Sequence, residues 1–188
     1  MLTEYLNRLN ELSPLSIESK NLLLEHIFVK KINAGDYILK QGDVCKHIYF
    51  VNKGFVRIFY YKNGKNITEW FSKEKSFFFS IASYFNETES NLVIETLEDS
   101  EIIFLSKAGL EKFRKTNLEI ANLLIELFSG SLIFSQQRME SIQFETAKDR
   151  YQNLLNEQPG ILNKVPLHHL ATFLGITQET LSRIRAKV

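Results

Sequence analysis

Apolar residues recur at helical spacing near both ends of the chain and alternate at strand spacing between them. Leu2, Tyr5, Leu6, Leu9 and Leu12 share one face of a predicted helix, which Ser13-Pro14 ends. Ser16 is placed to cap a second helix carrying Leu22, Leu23 and Ile27 and ending near residues 26–28. From Lys30 to Leu105 the chain breaks into short β-branched and aromatic runs at 37–40, 47–51, 55–61, 66–71, 91–97 and 101–105. Turn residues such as Asn33-Ala34-Gly35-Asp36 and Gln41-Gly42-Asp43 separate them. Asn63-Gly64, between FVRIFYY and ITEWF, predicts a tight hairpin because both residues tolerate positive φ. Val56, Ile58 and Tyr60 alternate with Arg57, Phe59 and Tyr61. Many short strands at this spacing predict an antiparallel sandwich or barrel, and with the flanking helices an α+β fold.

Past Leu105 the period is helical again. Ser106 is a candidate cap for a short helix with Leu110 and Phe113, and Thr116 or Asn117 for the next one. Ile120, Leu123, Leu124, Leu127 and Phe128 fall on one stripe, extended by Ser131, Leu132, Ser135 and Met139. Carried to Phe144, this helix is about 40 Å long at about 1.5 Å per residue. A long helix with an apolar seam calls for a partner, and a second copy across a two-fold axis supplies one. Packing against its own domain is the alternative. A further helix is expected over 146–156, ended by Gln158-Pro159-Gly160. The pattern divides the chain into a β domain with N-terminal helices (1–115), a dimerisation helix (116–144) and a C-terminal helical module (145–188).

That module, PLHHLATFLGITQETLSRIRAKV, has the form of a helix-turn-helix. Leu167, Leu170, Ala171 and Leu174 make the buried face of its first helix, Gly175 the turn, and Thr177 the cap of its second. Leu181 and Ile184 face inward. Gln178, Glu179, Ser182, Arg183 and Arg185 face out. In a major groove, Arg183 suits guanine, Glu179 suits cytosine N4, and Gln178 suits adenine or phosphate. Thr177, Ser182, Arg185, Lys187, His168 and His169 are candidate phosphate contacts.

Charge agrees with that reading. The net charge is only +1, but Lys164, Arg183, Arg185 and Lys187 face a single acid, Glu179, in the last segment. A near-neutral body with a basic end suits a polyanionic partner. Hydrophobic content of 44% supports a real core. No uninterrupted run of 18 apolar residues and no signal-like N-terminus occur, so no membrane partner and a cytoplasmic location are expected. One cysteine, Cys45, allows no internal disulfide or cysteine-held cluster. Adjacent His168 and His169 point apart on a helix, so no metal is expected. No nucleophile–base set or phosphate loop suggests an enzyme.

The order of β-barrel, long helix and GITQETLSRIR resembles the Crp/Fnr superfamily of bacterial transcription regulators. AKDRYQNLLNEQPGILNKVPLHHLATFLGITQETLSRIR and IETLEDSEIIFLS are most similar to its Bacteroidetes-type members. The resemblance implies a cupin-like jelly-roll domain of cyclic-nucleotide-binding type, a dimerisation helix, and a helix-turn-helix that binds double-stranded promoter DNA as a homodimer, with RNA polymerase as a further partner. Family members commonly show Arg-Glu and then an Arg four residues after the Glu; here Gln178, Glu179 and Arg183 stand there. The family's phosphate cassette has Gly-Glu and, about ten residues on, Arg-Ser/Thr-Ala. Here Ser80-Ile81 and Ser90-Asn91-Leu92 stand in those places, without the acid or the arginine. Tight cyclic AMP or cyclic GMP binding is therefore not expected. Phe77, Phe78, Phe79, Ser80, Ile81, Tyr84, Phe85, Ser90 and Asn91 are the pocket candidates, for an apolar effector of unknown identity or as core filling. No cofactor is expected. Wing strands beyond the second helix are expected to be absent. A module whose helix-turn-helix no longer reads DNA is the alternative function.

Overall fold

The computed structural model describes residues 2–186. Two N-terminal helices, α1 (Thr3–Leu12) and α2 (Ile17–Leu24), precede eight strands. These are β1 (Ile27–Ile32), β2 (Tyr37–Leu39), β3 (His47–Lys53), β4 (Val56–Lys62), β5 (Lys65–Ser72), β6 (Phe77–Phe78), β7 (Leu92–Thr96) and β8 (Ser100–Ser106), with helix α3 (Ile81–Asn86) between β6 and β7. Helices α4 (Lys107–Phe113), α5 (Leu118–Phe144), α6 (Ala147–Glu157), α7 (Ile161–Lys164), α8 (Leu167–Phe173) and α9 (Gln178–Arg185) follow.

The strands form two antiparallel four-stranded sheets, ordered β1-β8-β3-β6 and β2-β7-β4-β5. Ile48, Phe50, Ile94 and Ile102 from both sheets join one core with Tyr5 and Leu9 of α1. The Asn63-Gly64 turn is as expected, with φ of 52° and 73°. Ser16 caps α2 by accepting from the Ser19 amide at 3.2 Å, and Asn117 caps α5 by accepting from Ile120 at 3.0 Å. Thr146 and Asp149 form a reciprocal capping box on α6.

The second helix stops earlier than expected. Ile27 opens β1 and pairs with Leu105 of β8. The run IFVKKI carries two adjacent lysines and no clean alternation, so its strand character comes from the pairing. Strand β6 and helices α3 and α7 are too short to show a period.

Two expectations for α5 are corrected. Its 27 residues are as expected, but Ile120, Leu123, Leu124 and Leu127 are at most 6% exposed and lie in the chain's own core. They are not free for a second copy. Phe128 is half-buried against Phe79, Tyr84 and Phe85, and Ser131 is half-buried with its hydroxyl donating to Leu127 O. The uncovered residues Leu118, Ile125, Leu132, Met139 and Ile142 lie on another line. Also, α5 is long and apolar enough to cross a membrane by length and composition alone, with a mean hydropathy of 1.5 over an 18-residue window. Two or fewer charges in a window do not lower its mean hydropathy enough, although they interrupt every apolar run.

Candidate nucleic-acid interface and barrel cavity

Helices α8 and α9 stand on a second core, in which Leu170, Ala171, Leu174 and Leu181 pack with Tyr151, Leu154, Ile161 and Val165. Gly175 has φ of 68°, and the Ile176 amide donates to Ala171 O at 3.0 Å, which closes α8 with a left-handed C-terminal cap. Thr177 accepts from the Thr180 amide at 3.2 Å and starts α9. Gln178, Glu179, Ser182, Arg183 and Arg185 are all exposed on α9. The amide and hydroxyl at the helix start, at Glu179 and Thr177, hold the Glu179 carboxyl below the usual range. His168 is exposed. Lys187 lies outside the described residues.

His169 is a correction. It is half-buried, its Nδ1 is enclosed without a hydrogen-bond partner, and it lies near Arg57 of the barrel instead of facing outward with α9. Burial first, then the Arg57 and His168 charges, lowers its pKa to about 4. The ordinary value is about 6.5, so the packed form binds the proton more weakly than an undocked form. Docking of α8 is therefore fully supported above about pH 6.5 and erodes as pH falls toward 4. An NMR titration of the His169 ring should give a midpoint near 4. A midpoint at the ordinary value would mean that α8 is undocked in solution.

The surface that His169 meets is polar and buried. Strand β5 is a sheet edge, and its Thr68 amide donates to Thr172 Oγ1 of α8 at 3.2 Å, while the two threonine hydroxyls lie 3.0 Å apart. Arg57 Nε donates to Thr68 Oγ1 at 2.9 Å, and Arg57 also reaches Asn66 at 2.9 Å and Glu95 at 2.8 Å. A chain of polar contacts thus runs from β7 through β4 and β5 into the helix-turn-helix. Arg57 is only 1% exposed although it is a charged residue, on the same face of β4 as the buried Phe59. Phe55 and Phe71 of the barrel join the second core on this side.

A cavity of about 550 Å³ lies between the barrel and α5. Of the expected pocket residues it is lined by Phe77, Phe78, Phe79, Ile81 and Asn91. Ser80 and Ser90 do not line it: both are buried, and Ser90 Oγ donates to Ser80 Oγ at 2.9 Å. Tyr84 is buried beside Phe79, and Phe85 packs on Phe128 with half of its surface in solvent. The cassette's serine positions thus satisfy each other rather than a ligand.

Among the lining residues that sequence reasoning missed are Glu69, Trp70 and Arg138. Between Ile58↔Trp70 and Phe59↔Thr68 the β4–β5 register skips Glu69, so a bulge turns an acid toward the cavity. Burial raises the Glu69 pKa, and Arg138 opposes that shift. Arg138 of α5 donates to Phe173 O at the end of α8, and Arg150 donates to Leu174 O at 3.0 Å. Two guanidinium groups thereby cap the carbonyl end of α8. Neither contact has a signal in the sequence, since the partners are 35 and 24 residues apart.

Residues 29–117 match the cyclic nucleotide-binding domain. The chain is 27% identical over 175 residues to the cyclic AMP receptor protein of Thermus thermophilus, covering 90% of this chain and 81% of that protein. Two solved structures share the fold. FixK2 of Bradyrhizobium japonicum has a TM-score of 0.74 at 19% identity, covering 86% of this chain and 83% of that one. The c-di-GMP responsive regulator CLP of Xanthomonas campestris has a TM-score of 0.71 at 16% identity, covering 92% and 91%. A β-barrel carrying a long helix and a helix-turn-helix is the architecture they share. The chain is similar to Crp/Fnr regulators in fold, and its residues 29–117 match a cyclic nucleotide-binding domain.

Proposed function

We propose that the chain is a DNA-binding transcription regulator that acts on promoter DNA as a homodimer. The observation that carries this is α9, a capped helix on its own core with Gln178, Glu179, Ser182, Arg183 and Arg185 turned to solvent. Gln178, Glu179 and Arg183 read bases, while Thr177, Ser182, Arg185, Lys187 and His168 hold phosphates. The second copy pairs along Leu118, Ile125, Leu132 and Met139, which recur every seventh residue and are exposed. It sets the two α9 helices about 34 Å apart, one turn of DNA. Residues 1–115 serve as the sensor, 116–144 as the dimer helix and 145–188 as the reader. Such a dimer works in the cytoplasm, beside RNA polymerase. The C-terminal segment supports a place in the Bacteroidetes-type subgroup. Ser80 and Ser90, bonded to each other, give the cassette neither the acid nor the arginine that would hold a ribose and a cyclic phosphate there, which argues against tight binding of cyclic AMP or cyclic GMP at the cassette.

Binding to promoter fragments at two salt concentrations tests the reading. Affinity should fall steeply with salt as phosphate contacts release counterions. Arg183→Ala should cost about 1–3 kcal/mol and relax the preference at one base position, and Arg185→Ala should lower the salt slope by about 1. If no duplex is bound with salt-dependent affinity, the helix-turn-helix is a protein-interaction element instead.

A further inference from the structure

Arg138 belongs to two places at once. It lines the barrel cavity of about 550 Å³ and a second cavity of about 570 Å³ against the helix-turn-helix. Its guanidinium donates to Phe173 O, and its central carbon lies 4.0 Å from the centre of the Phe173 ring. It is the one cation lining the barrel cavity among the described residues. No carboxylate lies within ion-pair distance of it among them. Burial and the nearby Arg150 charge depress its pKa to about 10, which leaves it a charged group held by a neutral carbonyl.

We infer that the barrel cavity takes an apolar organic acid, and that its acidic group draws Arg138 away from the Phe173 carbonyl and frees helix α8 from the barrel. The consequence for DNA rests on the regulator reading above; the binding itself does not.

The chemistry of the cavity selects the class. Its walls include Trp70, Phe77, Phe78, Phe79 and Phe134, which favour an aromatic or aliphatic body. An anionic oxygen pair accepts from a guanidinium in bidentate fashion and adds a full opposite charge, which the neutral Phe173 carbonyl lacks. The acid therefore outcompetes Phe173 O for the same donors. Glu69 on the bulge makes a second negative charge unfavourable, so the ligand carries one. Helix α8 would then lose the Arg138 contact, and its remaining ties to the barrel edge are the Thr68–Thr172 bonds and the Phe173 ring contacts.

The single tryptophan, Trp70, lines the cavity and reports on it. In the full chain as purified, 1-anilinonaphthalene-8-sulfonate and its uncharged analogue N-phenyl-1-naphthylamine are titrated against Trp70 emission. The sulfonate should bind about tenfold more tightly than the neutral analogue. Arg138→Gln should erase that preference and leave the affinity for the neutral probe unchanged, while Arg138→Lys keeps part of it. In the wild type, the sulfonate should speed hydrogen exchange at the Thr68 amide, which is held by Thr172. Equal affinity for the two probes, or a preference that survives Arg138→Gln, overturns the ligand class. A preference without faster Thr68 exchange overturns the release of α8. Neither readout involves DNA, so failure here and failure of the regulator reading are separate results.

Discussion

Leu127→Lys should unfold the sensor domain instead of merely separating two copies. Leu127 is 5% exposed and packs with Ile120, Leu123 and Leu124 in the main core. The substitution removes a buried isobutyl group and encloses an ammonium with no partner, a loss of about 4 kcal/mol or more. Domains of this kind hold only about 5–15 kcal/mol in total. Urea unfolding followed by Trp70 emission should show a midpoint lowered accordingly, or no native baseline. Leu132→Glu is the contrasting change, at a residue that is 70% exposed. It should leave the unfolding free energy of the single chain within about 0.5 kcal/mol while halving the sedimenting mass. A dimer that survives Leu132→Glu would move the two-fold seam elsewhere.

Glu95→Ala should be the second large loss. Arg57 is 1% exposed and its Nη1 donates to Glu95 at 2.8 Å. Burial disfavours the Arg57 charge, and Glu95 is the first group that restores it. Removing the acid leaves an enclosed cation with only Thr68 and Asn66, at a cost of about 3 kcal/mol. Arg57→Met combined with Glu95→Leu should cost less than Glu95→Ala alone, because no charge is then left unpaired. Chemical denaturation of the three proteins measures this. The single substitution should also loosen α8, since Thr68 joins Arg57 to Thr172. If Glu95→Ala changes the midpoint by less than the double substitution, the network is not held by the ion pair.

Legibility in the sequence followed the range of the interactions. The helix-turn-helix was readable apart from His169: its apolar spacing, its left-handed Gly175 and its capping Thr177 act within one or two turns of chain. The Asn63-Gly64 hairpin was equally local. The dimer stripe was read from an apolar period that is real but serves the chain's own core at Ile120, Leu123, Leu124 and Leu127. A helix apolar on two faces has two candidate stripes, and only packing tells which one is covered. In the cassette, the missing acid and arginine were visible as absences. That Ser80 and Ser90 bond each other was not, because those residues are ten apart on separate elements.

Composition and periodicity alone determined the α+β class, the order of strands, long helix and helix-turn-helix, and the exposed Gln178, Glu179 and Arg183. Each rests on contacts close along the chain or on the face a repeat must bury. Tertiary structure decided that α8 lies on the edge of β5, that the charged Arg57 is buried, and that Arg138 reaches Phe173. The α8–β5 and Arg138–Phe173 contacts join residues 104 and 35 positions apart. No local pattern encodes them, because such pairs meet only after both elements have packed.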